Sequence, residues 1–155
     1  VSDDAQVQLC VVRLGDDAYG IDLRRVDEVL PAPQVTPVAR APSFLEGVVR
    51  LRGEVLPVVD ARKRLGVVAS RPPPSTPSGK PRRTERLLVC RIGRRRVGLL
   101  VDAVLHVRRV PRQVLRPAPL AAGPGAAPHV LGVVGEGEPL TLLLDVKALV
   151  QEPTP

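Results

Sequence analysis

A planar guanidinium grips a carboxylate through two parallel hydrogen bonds, and one stretch of this chain sets two of them close together. Gly47 to Asp60 reads GVVRLRGEVLPVVD, with Arg50 and Arg52 two residues apart in an aliphatic run. Side chains alternate along a strand, so this spacing predicts both arginines on one face, with Val49 and Leu51 on the other. Like charges that close repel, so Arg50 calls for an acidic partner, from this chain or another. A related run from Gly132 to Asp145, GVVGEGEPLTLLLD, keeps the frame and carries no arginine. Arg94-Arg95-Arg96 and Arg82-Arg83 are the other basic groups that could meet phosphate.

The remaining reactive side chains form no catalytic constellation. His106 and His129 stand without a partner at metal-ligand or triad spacing, and each is expected on a surface or in a loop. Cys10 and Cys90 supply neither a CxxC pair nor a zinc ligand set, and they lie in apolar runs where a free thiol is buried. Asn, Met and Trp are absent, and Gly135-Glu136-Gly137 is an acidic turn unsuited to phosphate. No catalytic, metal or cofactor site is predicted. Nucleic-acid recognition by a β-barrel stacks bases on aromatic rings; Tyr19 and Phe44 are the only aromatics here, which argues against it despite the net charge of +7.

The elements that position these residues follow from composition. With so few aromatics the core must be Val, Leu, Ile and Ala, and a Val-rich chain punctuated by glycine leans toward strands. Pro31, Pro33, Pro37 and Pro42 forbid helix over a wide span. Short helices are predicted only at Asp60–Leu65 and Asp145–Val150, each opening on a capping aspartate. Ser70 to Thr84, SRPPPSTPSGKPRRT, has nothing to bury and divides the chain. Residues before it are nearly neutral; the positive balance lies in and after it. No apolar run approaches the length of a membrane helix, and a cytoplasmic protein is expected.

The two halves repeat. VRLGDDAYGI (12–21) aligns with CRIGRRRVGL (90–99), each an apolar strand, a turn at a charged triplet and a second strand. Val26 and Val29 match Val104 and Val107, and the blocks from Gly47 and Gly132 align further on. Two copies of a five-strand unit imply paired β-barrels or a split sandwich.

Several pieces together carry a family pattern: RLGDDAYGIDLRRVDEVL (13–30), APSFLEGVVRLRGEVLPVVDARKRLG (41–66, with Ser43 at a gap), VGLLVDAVLHV (97–107), RPAP (116–119) and HVLGVVGEGEPLTLLLDVKALV (129–150). In these the chain resembles the CheW-like coupling proteins of bacterial chemosensory systems, from Leu9 to about Val150. The resemblance implies an all-β fold with one or two short helices: two SH3-like five-stranded β-barrel subdomains sharing a core. The expected organisation is one domain over 7–150. Its first unit spans about 9–69, its connecting loop 70–86 and its second unit about 87–150, with strand exchange between units left open and a tail at 151–155.

The resemblance further implies a non-catalytic adaptor that couples methyl-accepting chemoreceptors to a CheA-type histidine kinase, recruited to receptor arrays and touching the membrane only through receptors. Its expected partners are the kinase regulatory domain and the receptor's cytoplasmic tip, with no small-molecule substrate. By the same resemblance Val26, Glu28, Gly47, Arg50, Arg52, Gly98, Val104 and Val107 are candidate receptor-binding or coupling residues, and Val29 and Leu30 candidate kinase contacts. Arg52 is the signature arginine and Glu28 the carboxylate it is expected to meet. Arg50 departs from the family, where a small polar residue is common, and Ala61 replaces a common leucine. Two alternatives stay open: a CheW-like regulatory domain excised from a kinase or receiver-fused adaptor, which short tails argue against, and a basic β-barrel nucleic-acid binder.

Overall fold

Runs of β-branched and leucine residues broken by Gly and charge extend into strands wherever two faces can both be covered. A computed structural model, which describes residues 6–65, 84–117, 130–134 and 141–150, folds these runs into eleven strands and two short helices. The first half supplies β1 (Gln6–Leu14), β2 (Asp17–Asp22), β3 (Val26–Pro31), β4 (Leu45–Leu51), β5 (Glu54–Asp60) and α1 (Ala61–Leu65). The second supplies β6 (Arg86–Ile92), β7 (Arg95–Val101), β8 (Ala103–Pro111), β9 (Leu115–Pro117), β10 (Val130–Val134), β11 (Thr141–Leu144) and α2 (Val146–Val150). The connecting segment 70–83, His129, the Gly135-Glu136-Gly137 turn and the tail 151–155 lie outside the described residues.

The two sheets do not follow the two halves. One has the order β8-β1-β2-β11-β10-β9, the other β3-β6-β7-β5-β4. The β1–β2 hairpin of the first half therefore sits inside the sheet of the second half, and the β6–β7 hairpin sits inside the sheet of the first. Each hairpin pairs antiparallel on one side, β1 with β8 and β6 with β3. On the other side each pairs in parallel, β2 with β11 and β7 with β5. The short β9 makes one sheet six-stranded, where five strands were expected.

The sequence repeat extends to irregularities of the backbone. The β3–β6 ladder shifts register between Val26 and Glu28, and the matching β8–β1 ladder skips Leu105, the counterpart of Asp27. The β4–β5 ladder skips Glu46, and β10–β11 skips its counterpart Leu131. Such bulges sharpen twist and bend a strand toward closure. In both halves the glycine after the second bulge admits a neighbouring carbonyl. A Cβ on Gly47 would lie 2.0 Å from Thr36 O, and one on Gly132 would lie 2.4 Å from Arg116 O.

Three apolar cores result. Val49, Leu56, Val58, Leu87, Val89 and Leu100 fill one sheet's inner side, and Val7, Leu9, Val11, Val110 and Val134 fill the other's. Between them lies the largest cluster, to which Val12, Ile21, Leu88, Leu99, Leu144 and both helices contribute. The helices begin where the aspartates predicted: Asp60 Oδ1 accepts from the Arg62 amide at 3.0 Å, and Asp145 Oδ1 from the Ala148 amide at 3.3 Å. Cys10 and Cys90 are free and fully buried in the central core. Burial, with smaller contributions from Cys10 and Asp27, pushes the Cys90 thiol up to about 12. His106 is exposed on β8.

The hairpin turns are shorter than the charged triplets suggested. Leu14 pairs with Asp17 and Ile92 with Arg95, so the turns are Gly15-Asp16 and Gly93-Arg94. Each glycine adopts positive φ at the first turn position, as a type II′ turn requires. Two 3-10 turns, Leu23–Arg25 and Arg112–Val114, had no signal in the apolar pattern.

Candidate functional site

The β4–β5 turn corrects the expected placement of the two arginines. Leu51 pairs with Glu54, leaving Arg52-Gly53 as a two-residue loop with φ of 53° and 82°. Positive φ at both positions is the type I′ geometry that matches strand twist. Arg52 is thus a turn residue held in the left-handed region, and Arg50 alone stands on the strand's outer face. Gly53 makes the turn cheap at one position; Arg52 accepts the strain at the other.

That conformation aims the guanidinium across the barrel end. Arg52 Nη1 donates to Glu28 Oε2 at 2.7 Å and Nη2 to Oε1 at 2.5 Å, a bidentate fork. The carboxylate raises the arginine's pKa through this hydrogen bond and its charge. Glu28 lies on β3, whose bulge at Asp27 turns it toward the barrel mouth. Arg96 of β7 approaches Glu28 Oε2 at 3.8 Å and Glu54 Oε2 at 3.4 Å. Two acids and two arginines therefore close one end of the barrel, and Arg91 flanks them by pairing with Asp27 at 3.2 Å. The arginine of the main pair is 67% exposed and its glutamate 22%, so the fork orients a surface more than it stabilises the fold.

Beside this mouth runs the seam between barrels. Val26 pairs with Cys90 and Val104 with Val12, equivalent positions in the two halves. Both valines are half-buried against the central core. Val107 is 56% exposed and Val29 is 43% exposed on the same two strands. Leu30, expected beside Val29 on a contact surface, is partly buried and packs against the barrel core. Gly47 and Gly98 present no surface. Both are buried, and a Cβ on Gly98 would press to 2.7 Å from Leu87 Cδ1. Arg50 is exposed and has no ion-pair partner among the described residues.

The CheW-like domain family matches residues 8–154. The chain belongs to the CheW-like domain family. Protein FrzA of Myxococcus xanthus is 41% identical over 134 residues, spanning 84% of this chain and 78% of that protein. The chemotaxis protein CheW of Klebsiella aerogenes is 31% identical over 142 residues, with 92% and 80% covered. The crystal structure of the scaffolding protein TtCheW from Thermoanaerobacter tengcongensis superposes with a TM-score of 0.81. It shares 24% identity and covers 94% of this chain and 88% of its own. The CheW-like fold of two barrels around a shared core is thereby established, and the family role is that of a chemotaxis coupling adaptor.

One site in this CheW-like domain escaped the sequence reading. Arg62, the second residue of α1, is buried. Its Nε donates to Asp60 Oδ1 at 2.9 Å, its Nη2 to Asp60 Oδ2 at 3.0 Å and its Nη1 to Asp102 Oδ1 at 2.7 Å. Glu85 Oε2 stands 3.6 Å away. Asp102 in turn accepts from the Gly15 amide at 2.7 Å, which carries the link to the β1–β2 turn. Burial opposes the charge on Arg62, but Asp60, then Asp102 and Glu85, outweigh it and raise its pKa. The repeat places Lys147 at the equivalent position in α2, where it is exposed. An arginine after an aspartate reads as a surface pair, and only the fold brings Glu85 and Asp102 to it.

Among the described residues no cluster of three or more His, Cys, Asp or Glu is arranged to hold a metal ion. No described helix is long and apolar enough to cross a membrane.

Proposed function

We propose that this chemotaxis adaptor acts without catalysis, in the cytoplasm, by joining a chemoreceptor tip to the regulatory domain of a CheA-type histidine kinase within receptor arrays. The observation that carries the reading is the bidentate Arg52–Glu28 fork at the barrel mouth, beside half-buried Val26 and Val104 at the seam. An amphipathic helical hairpin needs apolar anchors and a charged edge that fixes its register. Val26, Val104 and exposed Val107 supply the anchors, and Arg52 with Glu28 supplies the edge. Gly47 and Gly98 serve the same surface indirectly, because each permits the close strand packing that shapes it. Val29 makes the kinase contact, and Leu30 anchors β3 from inside.

The test is binding of the purified protein to a receptor-tip fragment and to a CheA-type regulatory domain. Wild type binds both; Arg52→Ala and Glu28→Ala weaken the receptor arm and leave the kinase arm and the circular dichroism spectrum unchanged. Val29→Asp does the reverse. A folded protein that binds neither partner overturns the reading.

A further inference from the structure

A second surface adjoins the barrel mouth and shares Glu54 and Arg96 with it. The outer side of β4 and β5, the β6–β7 turn and the end of α2 enclose an open groove of about 410 Å³, within the size range of ligand sites. Its floor is apolar, built by Phe44, Leu45, Pro57, Val59, Val97 and Val150. Its rim is basic, with Arg94, Arg95 and Arg96 facing a single acid, Glu54. Arg96 is already engaged by Glu54 and Glu28. Arg94 and Arg95 are exposed and have no ion-pair partner among the described residues. None of Val26, Glu28, Arg52, Val104 or Val107 lines this groove.

The β5 wall extends the pattern. Val55, 56% exposed, lines the groove, and its directly paired neighbour on β4 is Arg50. Residues opposite one another in an antiparallel pair project to the same side, so Arg50 continues the basic rim past an exposed aliphatic patch. Val55, Pro57 and Val59 occupy alternate positions, spanning about 13 Å of strand. The counterpart turn in the other half reads Gly15-Asp16-Asp17-Ala18, so the basic rim belongs to one barrel only.

We propose that this groove binds a short peptide segment of a partner protein in which aliphatic side chains alternate with Asp or Glu. Aliphatic groups enter the floor while the carboxylates meet Arg94, Arg95 and Arg50, which have no ion-pair partner among the described residues. Arginine forks favour carboxylates geometrically, and a floor of valine, leucine and proline selects aliphatic side chains over bases. The Arg64 guanidinium lies over the Phe44 ring at 4.1 Å, which leaves at most one face of this single aromatic for stacking. The groove meets the barrel mouth through Arg96 and Glu54 but contains no residue of the Arg52–Glu28 fork or of the seam, so variants at Arg94 and Arg95 test it separately from the coupling role.

The probes are three labelled synthetic octapeptides of alternating Leu-Glu, Leu-Lys and Ser-Glu sequence, together with an oligothymidylate. Fluorescence anisotropy reads affinity, and amide shifts of the full-length protein locate the site. The Leu-Glu peptide binds and moves the amides of Val55 and Val97. The other two peptides bind at least about tenfold more weakly, and the double variant Arg94→Glu/Arg95→Glu costs about tenfold with weakening at high salt. Arg50→Ala gives a smaller loss in the same direction. Equal binding of the Leu-Lys peptide, affinity unmoved by the charge reversal, or shifts gathered at Val26 and Val104 would each overturn the proposal. Tighter binding of the oligothymidylate at the same amides would replace the peptide with a nucleic acid.

Discussion

Two arginines ten residues apart carry opposite physical roles. Arg62 is buried with three carboxylates around it, so its removal strands negative charge in a low-dielectric site. Arg62→Ala should cost about 3–5 kcal/mol, read from urea unfolding, and Arg62→Lys should restore little because an ammonium cannot fork. Arg52 is exposed, and Arg52→Ala should leave the unfolding midpoint essentially unmoved while it changes receptor binding. A second residue-level prediction concerns Cys90. Its thiol is raised to about 12 by burial, whereas in the unfolded chain it ionises near pH 9. Because the folded value is the higher one, its contribution is intact below pH 9 and is lost as pH rises from there toward 12. Stability measured across that range should fall less steeply in Cys90→Ala, and in wild type a thiol reagent at pH 8 should label neither cysteine until the protein unfolds.

At the scale of elements, the aliphatic frame made most strands and both helices legible, since alternation and capping are local. The pairing of Arg52 with Glu28 was reached through family resemblance, and the structure supplies the fork. What escaped was the difference between strand and turn at Arg52. GVVRLRGEVL reads as one continuous run, and only the left-handed Arg52-Gly53 pair divides it. The Arg62 cluster was illegible for another reason: its acids come from positions 60, 85 and 102, and no local pattern joins them. The half-buried packing of Leu30 shows the same limit, because which way β3 faces depends on a bulge that the sequence does not announce. Gly47 gives a test at this scale. Its φ of 150° and the carbonyl 2.0 Å from an added Cβ mean that Gly47→Ala should lose about 1–3 kcal/mol and disrupt the neighbouring antiparallel bridge in which Thr36 and Val48 exchange backbone hydrogen bonds. Gly53→Ala has open space around it and should cost less, which thermal melts of the two variants would show.

For the whole molecule, the exchange of hairpins ties the two barrels into one cooperative unit. Each sheet is completed only by strands from the other half, and the central core draws on both. Unfolding followed by far-ultraviolet dichroism and by exchange of the buried amides of β2 and β7 should therefore give one coincident transition. Two separate transitions would mean that the barrels are independent. Fragments 1–75 and 76–155 should each be unfolded alone and recover strand content when mixed.

The exchange also says what kind of object a half is. An 80-residue piece that keeps its own outer strands but lends its hairpin away has no closed interior by itself, and two such pieces complete one another by trade. The repeat, bulge for bulge, has the geometry of a hairpin-swapped pair of like subunits held in one chain. Because one chain holds both copies, they can differ in charge, acid at one turn and arginine at the other, a liberty that a symmetric pair of identical chains does not have.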